Sequence, residues 1–189
     1  GTDGLGTISG EGGALRGISL QGLIYEACPR TKLYGNGLPE ALPSYALAHF
    51  APYNLNIRQA EDVRLSGLRV TWGEADLADL GKVPDSRPYW PCIECRHVRG
   101  LVVQDVVCGP YGAEAAAVGL TDVADALLTG CRAEEGTGVF LRISGQSRAI
   151  ALSGNDLAGA STACELVDPG TGETGSLSPG DTQTWRAVE

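Results

Sequence analysis

The chain has 189 residues, which is one domain on a prior of roughly 100 to 200 residues per domain, and its composition argues against several protein classes. Glycine supplies 27 residues, phenylalanine occurs twice and methionine never, a profile that disfavours a helical bundle. The net charge of -9 argues against nucleic acid or an anionic membrane as the main partner, because both require a concentrated positive surface. No apolar run approaches the roughly 20 residues that span a bilayer.

Five segments of the sequence align with one another without gaps. They begin at Ile18, Val63, Leu101, Ala126 and Ile150, and apolar residues fill almost all of their first, third, sixth and eighth positions. Period-2 alternation of this kind predicts two short strands in each segment, separated by a corner at the fifth position. The corner holds residue types that accept a left-handed backbone. These corner residues are Gly22, Gly67, Asp105, Gly130 and Gly154.

A third apolar stretch precedes the aligned segments, and a small apolar column lies between the two. The stretch is Leu55 and Ile57, Ile93 and Cys95, Val118 and Leu120, and, after a one-residue slip, Leu141 and Ile143; the column is Leu15, Ala60, Val98 and Val123. Three strands per repeat predict an all-β fold, a single-stranded right-handed parallel β-helix of about five coils over residues 1–168. An antiparallel sandwich or barrel would not explain columns that recur in identical order. Residues 169–189 are rich in Gly, Ser, Thr and Pro and predict a tail or a final loop, with Trp185 as its anchor.

Two long insertions interrupt the first repeats at the same place. The aligned segments start 45, 38, 25 and 24 residues apart, so the last two spacings fit bare coils and the first two contain loops, at about 26–54 and 72–91. These loops hold most of the aromatic residues. Trp72, Tyr89 and Trp90 are the candidates for stacking on a sugar, because apolar sugar faces pack on aromatic rings. The alternative is that they fold inward and anchor the loops.

Two stretches of the sequence resemble a known family. Tyr-Asn-Leu-Asn-Ile-Arg-Gln-Ala-Glu-Asp-Val-Arg-Leu at 53–65 and Pro-Cys-Ile-Glu-Cys-Arg-His-Val-Arg-Gly-Leu-Val-Val at 91–103 are similar to the late coils of polygalacturonase-like glycoside hydrolases. The resemblance covers roughly residues 14 to 160 and implies a pectin-lyase-like β-helix. The Asn-x-Asp, Asp-Asp and Gly-His-Gly motifs that carry the family's activity do not occur in this sequence. Arg30-Thr31-Lys32 matches its substrate-holding Arg-x-Lys in letters only.

The resemblance therefore implies a carbohydrate-associated domain, binding or structural, without catalytic acids of its own. A polysaccharide or oligosaccharide is the expected ligand, an extracellular or periplasmic location is favoured over a cytoplasmic one, and no cofactor is expected. A rival hypothesis is a small intact glycoside hydrolase or lyase whose acids come from Glu74, Asp76 or Glu94. A third is a structural β-helix of a surface fibre or phage appendage. No catalytic residue is assigned.

Three cationic or titratable residues lie at or beside one predicted corner. Arg58 and Arg96 share a column and are expected on the exterior, where they either stack or pair with Glu61 and Glu94, or bind the carboxylate of a uronate. His97 occupies the position that holds Gln in the preceding coil. A general base needs a partner that orients it, so a surface-stacking role is favoured for His97.

The six cysteines admit more than one interpretation. No second pair at zinc-finger spacing follows Cys92-x-x-Cys95, so no metal site is expected. Cys95, Cys108 and Cys131 occupy apolar columns and are expected to be small buried hydrophobes. The remaining candidates for a disulfide are Cys28 and Cys92, which lie at loop ends and would be bridged only in an oxidising compartment.

A stack of coils also has two ends. An uncapped end exposes strand edges and core side chains, and the glycine-rich segment before Leu15 is too short to form a helical cap. We therefore expect the first coil to pack against upstream coils or against a second copy of the chain.

Overall fold

The computed structural model describes residues 6–10, 13–27, 55–72, 91–110, 116–167, 174–177 and 184–187. These ranges contain fifteen β-strands and no helix, hence no helix long and apolar enough to cross a membrane. The strands are β1 (Gly6–Ser9), β2 (Leu15–Gln21), β3 (Ile24–Ala27), β4 (Leu55–Ser66), β5 (Arg69–Trp72), β6 (Ile93–Gln104), β7 (Val107–Cys108), β8 (Ala116–Thr121), β9 (Ala124–Thr129), β10 (Arg132–Ala133), β11 (Thr137–Ser144), β12 (Arg148–Ser153), β13 (Ala160–Val167), β14 (Thr174–Leu177) and β15 (Thr184–Ala187).

The described strands form one large sheet and one small sheet, and nearly all neighbours are parallel. The small sheet has the order β10-β7-β5-β3. In the large sheet, the first halves of the long strands β4 and β6 pair with one set of strands and their second halves pair with another set. We call the first halves, together with β1, β8, β11, β13 and β14, the first arm of the sheet. The second halves, together with β2, β9, β12 and β15, are the second arm. The predicted all-β class, with parallel strands, is confirmed.

The gap-free alignment of five sequence segments corresponds to the strand register. Ile18 pairs with Val63, Val63 with Leu101, Leu101 with Ala126, and Ala126 with Ile150. The first positions of all five segments are therefore neighbours across parallel strands. Each repeat of the sequence adds one strand to the second arm.

Three columns of left-handed backbone run through the repeats. The predicted corner column, from Gly22 to Gly154, has φ between 51° and 65° in every repeat, as expected. Two further columns lie between the arms and have φ between 51° and 71°; the sequence predicted a corner at His97 but no left-handed backbone in either column. The first of these is Gln59, His97, Asp122 and Gly145; the second is Gly17, Asp62, Gly100, Asp125 and Ala149.

The core is one cluster of buried aliphatic, Cys and Ala side chains. Cys95, Cys108 and Cys131 are fully buried in it, as predicted, and all three are free thiols. Phe140 is also fully buried, although most aromatic residues of the sequence lie in the two predicted loops. It lies between Val139, which pairs with Ala116, and Leu141, which pairs with Val118.

The C-terminal end of the large sheet is covered by antiparallel strands. Within the stretch predicted as a tail or final loop, β14 pairs with β13 and β15 pairs with β12, both antiparallel. Trp185 is in register with Leu152. At the same end of the small sheet, Asn155 accepts a hydrogen bond from the Cys131 N–H (2.8 Å) and donates one to the Leu128 carbonyl (3.0 Å). This amide explains why a polar residue interrupts an apolar column.

The N-terminal strands differ from the later ones in burial. Leu15 is 41% exposed, whereas Ala60 and Val98, which follow it in the same column, are 1% exposed. Ile18, Leu20 and Leu23 are only partly buried. Among the described strands, β1 and β2 pair on one side only, with β4, and β3 with β5 alone. Within the described ranges, β1, β2 and β3 are therefore the edge strands at this end.

Candidate functional site

The face of the first arm opposite the core cluster carries two rows of mostly polar residues, of which Asn56 (1% exposed) and Glu94 (7%) are buried. Because Leu55 and Ile57 are in the buried core and side chains alternate along a strand, Asn56 and Arg58 lie on the opposite face. The strand register extends this face through the repeats. The first row is Asn56, Glu94, Gly119, Arg142 and Glu165, and the second is Ser9, Arg58, Arg96, Thr121 and Ser144. We call them the outer rows.

The same polar pair occurs in two successive repeats. The Arg58 Nε donates a hydrogen bond to Asn56 Oδ1 at 3.2 Å, and the Arg96 Nε donates one to Glu94 Oε1 at 2.9 Å. Arg58 is in register with Arg96, as the sequence predicted. Two guanidinium groups are therefore neighbours on one face, and each donates a hydrogen bond to the residue two positions before it in the chain.

The expected pairing of Arg96 with Glu94 is confirmed, and that of Arg58 with Glu61 is wrong. Glu61 instead forms an ion pair with Arg16, with Nε and Oε2 2.9 Å apart. The reason is the left-handed residue Gln59. The chain turns there, so Glu61 belongs to a different face from Arg58.

Glu94 is buried at the centre of the outer rows. Its side chain is 9% exposed, whereas that of Arg96 is 46% exposed. Glu94 Oε2 lies where a side chain of Gly119, its neighbour in register, would stand. Glycine at 119 therefore makes room for the carboxylate. Burial, and next the nearby Glu94 charge, raise the pKa of the Cys95 thiol on the core side.

The outer rows continue with further paired groups. The hydroxyls of Thr121 and Ser144 are 2.9 Å apart. The Arg142 Nε donates a hydrogen bond to Glu165 Oε2, and these two residues are also in register. Sequence analysis did not predict Asn56, Arg142 and Glu165 as site residues. Each of them is adjacent in the chain to a core residue, so the alternation of side chains along a strand could have placed them on this face.

His97 lies at the left-handed corner next to the outer rows. Its Nδ1 is 3.5 Å from Asp122 Oδ2, and its side chain is 64% exposed. Asp122 is the corresponding corner residue of the next repeat. Sequence analysis favoured a surface-stacking role for His97 and identified no carboxylate that could orient its ring. In the structure, the Asp122 carboxylate lies beside the His97 ring.

Comparisons with protein-family models, with curated proteins and with solved structures return no match.

The aromatic candidates lie apart from the two arginines, or outside the described residues. Trp72 ends β5 in the small sheet, where it is in register with Ala27, so its backbone does not belong to the first arm. Tyr89 and Trp90 lie outside the described residues, as do Glu74 and Asp76, two of the rival hypothesis's acids. The structure therefore brings together Arg58, Arg96 and Glu94 among the predicted groups.

Metal-binding side chains do not converge in the part of the chain that the structure describes. No three His, Cys, Asp or Glu residues there are grouped as a metal ion would require. The carboxylates of the outer rows are instead engaged by guanidinium groups. The chemistry that this face offers is hydrogen bonding and charge pairing with a ligand that lies along the rows.

Proposed function

We propose that the chain is a right-handed parallel β-helix of the pectin-lyase-like type that binds a polysaccharide along the outer rows. Support for the fold comes from the repeated register, in which equivalent residues of five repeats are neighbours. Further support comes from the three left-handed columns, which bend the chain at the same positions in successive repeats. Both features are expected of a coil that stacks on its copies.

The observation that carries the binding proposal is the stacking of the Asn56–Arg58 pair on the Glu94–Arg96 pair. Neighbouring parallel strands lie about 4.8 Å apart, so the two guanidinium groups face a linear ligand at a fixed interval. A guanidinium presents several N–H donors in a planar fork that matches a carboxylate. The half-exposed Arg96 would therefore hold the carboxylate of a uronate unit, and Arg58 the next group along the polymer.

The remaining members of the outer rows extend the same surface. Thr121 and Ser144 present hydroxyls, which are suited to sugar hydroxyls because each can donate and accept. We assign the apolar sugar faces to Tyr89 and Trp90, since stacking on rings complements hydrogen bonding along the edge; Trp72, which ends β5 in the small sheet, is not assigned to this surface. Binding to a polymer of this kind favours an extracellular or periplasmic location.

The test is binding of polygalacturonate and of a neutral glucan, measured by calorimetry with the wild type, Arg96→Ala and Arg99→Ala. Arg99 is the matched control because its side chain is 73% exposed, forms an ion pair with Asp125 at 3.4 Å and lies beyond the corner. A lost charge-assisted hydrogen bond costs about 1.5–3 kcal/mol, so Arg96→Ala should weaken polygalacturonate binding by roughly 10-fold to 100-fold. Arg99→Ala should stay within about two-fold.

Other outcomes of the same experiment distinguish the rival functions. Equal loss in both variants would mean that only net charge matters, and no binding of either polymer by the wild type would overturn the proposal. Release of reducing ends, abolished by Glu94→Gln, would favour a hydrolase. Failure to bind glycans together with a trimer in light scattering would favour a structural fibre component.

A further inference from the structure

The charged pair formed by His97 and Asp122 borders the outer rows. His97 Nδ1 lies 3.5 Å from Asp122 Oδ2. His97 directly follows Arg96 in the chain, and Asp122 directly follows Thr121. Because Arg96 and Thr121 are neighbours in the second outer row, the pair lies one residue away from the groups that we propose to hold a polymer.

The Asp122 carboxylate is fixed in this position by the next repeat. Its Oδ1 accepts a hydrogen bond from the Gln146 N–H at 2.8 Å, and the Asp122 N–H donates one to the Ser144 carbonyl at 3.3 Å. The Asp122 side chain is 30% exposed, about half the value for His97. The carboxylate therefore stays beside the imidazole, which can donate from Nδ1 in its neutral and in its protonated form.

The surroundings of the imidazole contain several other charged groups. Its column neighbour in the preceding repeat is the uncharged Gln59. Of the charged residue types present, histidine alone normally gains or loses its charge between about pH 5 and pH 8. The charged residues within three positions of the corner column are Arg58, Glu61 and Asp62 on β4, Glu94, Arg96 and Arg99 on β6, and Asp122 and Asp125 on the β8–β9 segment.

We propose that the His97–Asp122 pair is a charge switch that makes the outer rows bind an acidic polymer more tightly at low pH than at high pH; this rests on the proposed binding function. When the imidazole is protonated, its charge offsets that of the Asp122 carboxylate. When the imidazole loses its proton, the carboxylate remains as a net negative charge beside the second outer row. The polymer carboxylate held by Arg96 is then repelled.

The size of the effect follows from the exposure of the groups. An interaction between exposed charges changes an affinity by about two-fold to five-fold, and salt screens it. The preceding repeat places Gln59 at the same corner beside Arg58. It therefore shows which residue can replace His97 in this backbone conformation without a titratable group.

The experiment measures polygalacturonate binding by calorimetry at about pH 5.5 and about pH 8, at equal low ionic strength. Carboxyl groups of ordinary acidity are ionised at both pH values, so the polymer keeps its charge. The variants are His97→Gln, which copies the preceding repeat, and Asp122→Asn, which keeps an acceptor for the Gln146 N–H and removes the charge. His49→Gln is the matched control, because His49 is the second of the two histidines.

We expect the wild type and His49→Gln to bind about two-fold to five-fold more tightly at the lower pH. His97→Gln should have the same affinity at both pH values, and Asp122→Asn should bind more tightly than the wild type at about pH 8. In about 0.5 M salt the pH effect in the wild type should disappear.

Three results would overturn the charge switch while leaving the proposed function intact. They are a wild type that binds equally at both pH values, a pH dependence that persists in His97→Gln, and Asp122→Asn binding no more tightly than the wild type at the higher pH. Absence of binding by the wild type at either pH is a different outcome, which overturns the proposed function and the switch together.

Discussion

The Asp122 carboxylate lies where a side chain of Gly145 would stand. Asp122 Oδ1 accepts a hydrogen bond from the Gln146 N–H at 2.8 Å, and Gly145 is the corner residue of the next repeat. The same relationship links Asp105 with Gly130. At these two corners the aspartate carboxylate takes the space of the next corner's Cβ, so glycine follows it, whereas Asp125 is followed in its column by Ala149.

Gly145→Ala should lower the free energy of unfolding more than Gly154→Ala does. Both glycines have φ near 60°, but a Cβ at Gly154 would meet no atom within 4 Å. Left-handed backbone alone costs an alanine about 1–2 kcal/mol, and loss of the Asp122 hydrogen bond would add about 1 kcal/mol. Urea unfolding measures both variants. In an Asp122→Ala background the two costs should become equal; a difference that persists would contradict this explanation.

Asn155→Leu should destabilise the protein although it restores the apolar column. The substitution leaves the Cys131 N–H and the Leu128 carbonyl without the amide partner described above, and an unsatisfied partly buried group costs about 1–3 kcal/mol. Asn155→Asp keeps the acceptor for Cys131 and should give a smaller loss. Chemical denaturation of both variants checks this, and an Asn155→Leu protein as stable as the wild type would refute it.

Phe140→Ala should be among the most destabilising single changes in the core. The ring is fully buried, and large-to-small substitutions at such sites cost about 3–5 kcal/mol. Phe140→Leu fills most of the space and should cost about 1 kcal/mol. Denaturant midpoints of the two variants measure the loss of stability. Equally small losses in both variants would show that the ring contributes little to packing.

Glu134 should make stability depend on pH. Burial raises the pKa of its carboxyl, an effect that the Arg69 charge partly opposes. The folded state therefore holds this proton more tightly than the unfolded state, and stability falls as the pH rises from the unfolded pKa through the folded pKa. Glu134→Gln removes this loss. Its free energy of unfolding relative to the wild type should be higher at about pH 7 than at about pH 4; a difference independent of pH would contradict the prediction.

We propose that the open N-terminal edge supports self-association through the side chain of Leu15. Leu15 belongs to a column that is otherwise buried, whereas the similarly exposed Leu127 (37%) faces outward from the middle of the sheet. Sedimentation velocity should show concentration-dependent association of the wild type that Leu15→Lys reduces and Leu127→Lys leaves unchanged. A monomeric wild type at all concentrations would contradict this.

The repeat columns allowed much of the parallel architecture to be predicted. The register from Ile18 to Ile150 follows from apolar alternation, which is strong because one face of each strand must be buried. The left-handed backbone of the columns through Gln59 and Ala149 was missed; Gln and Ala do not indicate it, although the Gly and Asp residues of the same columns do. Strands β14 and β15 were also not predicted, since their turn-rich surroundings conceal four-residue strands.

The candidate site was predicted in part. Alignment of the two arginine-containing stretches placed Arg58 beside Arg96, and the register confirms this. The alignment did not reveal that the chain turns at Gln59. It therefore could not predict that Glu61 pairs with Arg16 and not with Arg58. The proximity of His97 to Asp122 joins different repeats at a corner, so it required the backbone geometry of both.

The antiparallel strands β14 and β15 give the protein two chemically unlike ends. A parallel edge can be extended by another repeat of the same direction, whereas a reversed strand terminates the series. Units like those beginning at Ala126 and Ile150, which are 24 residues apart, could therefore be duplicated upstream of this terminator. Each duplication would lengthen the outer rows by about 4.8 Å, and under the proposed binding function the number of repeats would set the length of polymer that these rows contact.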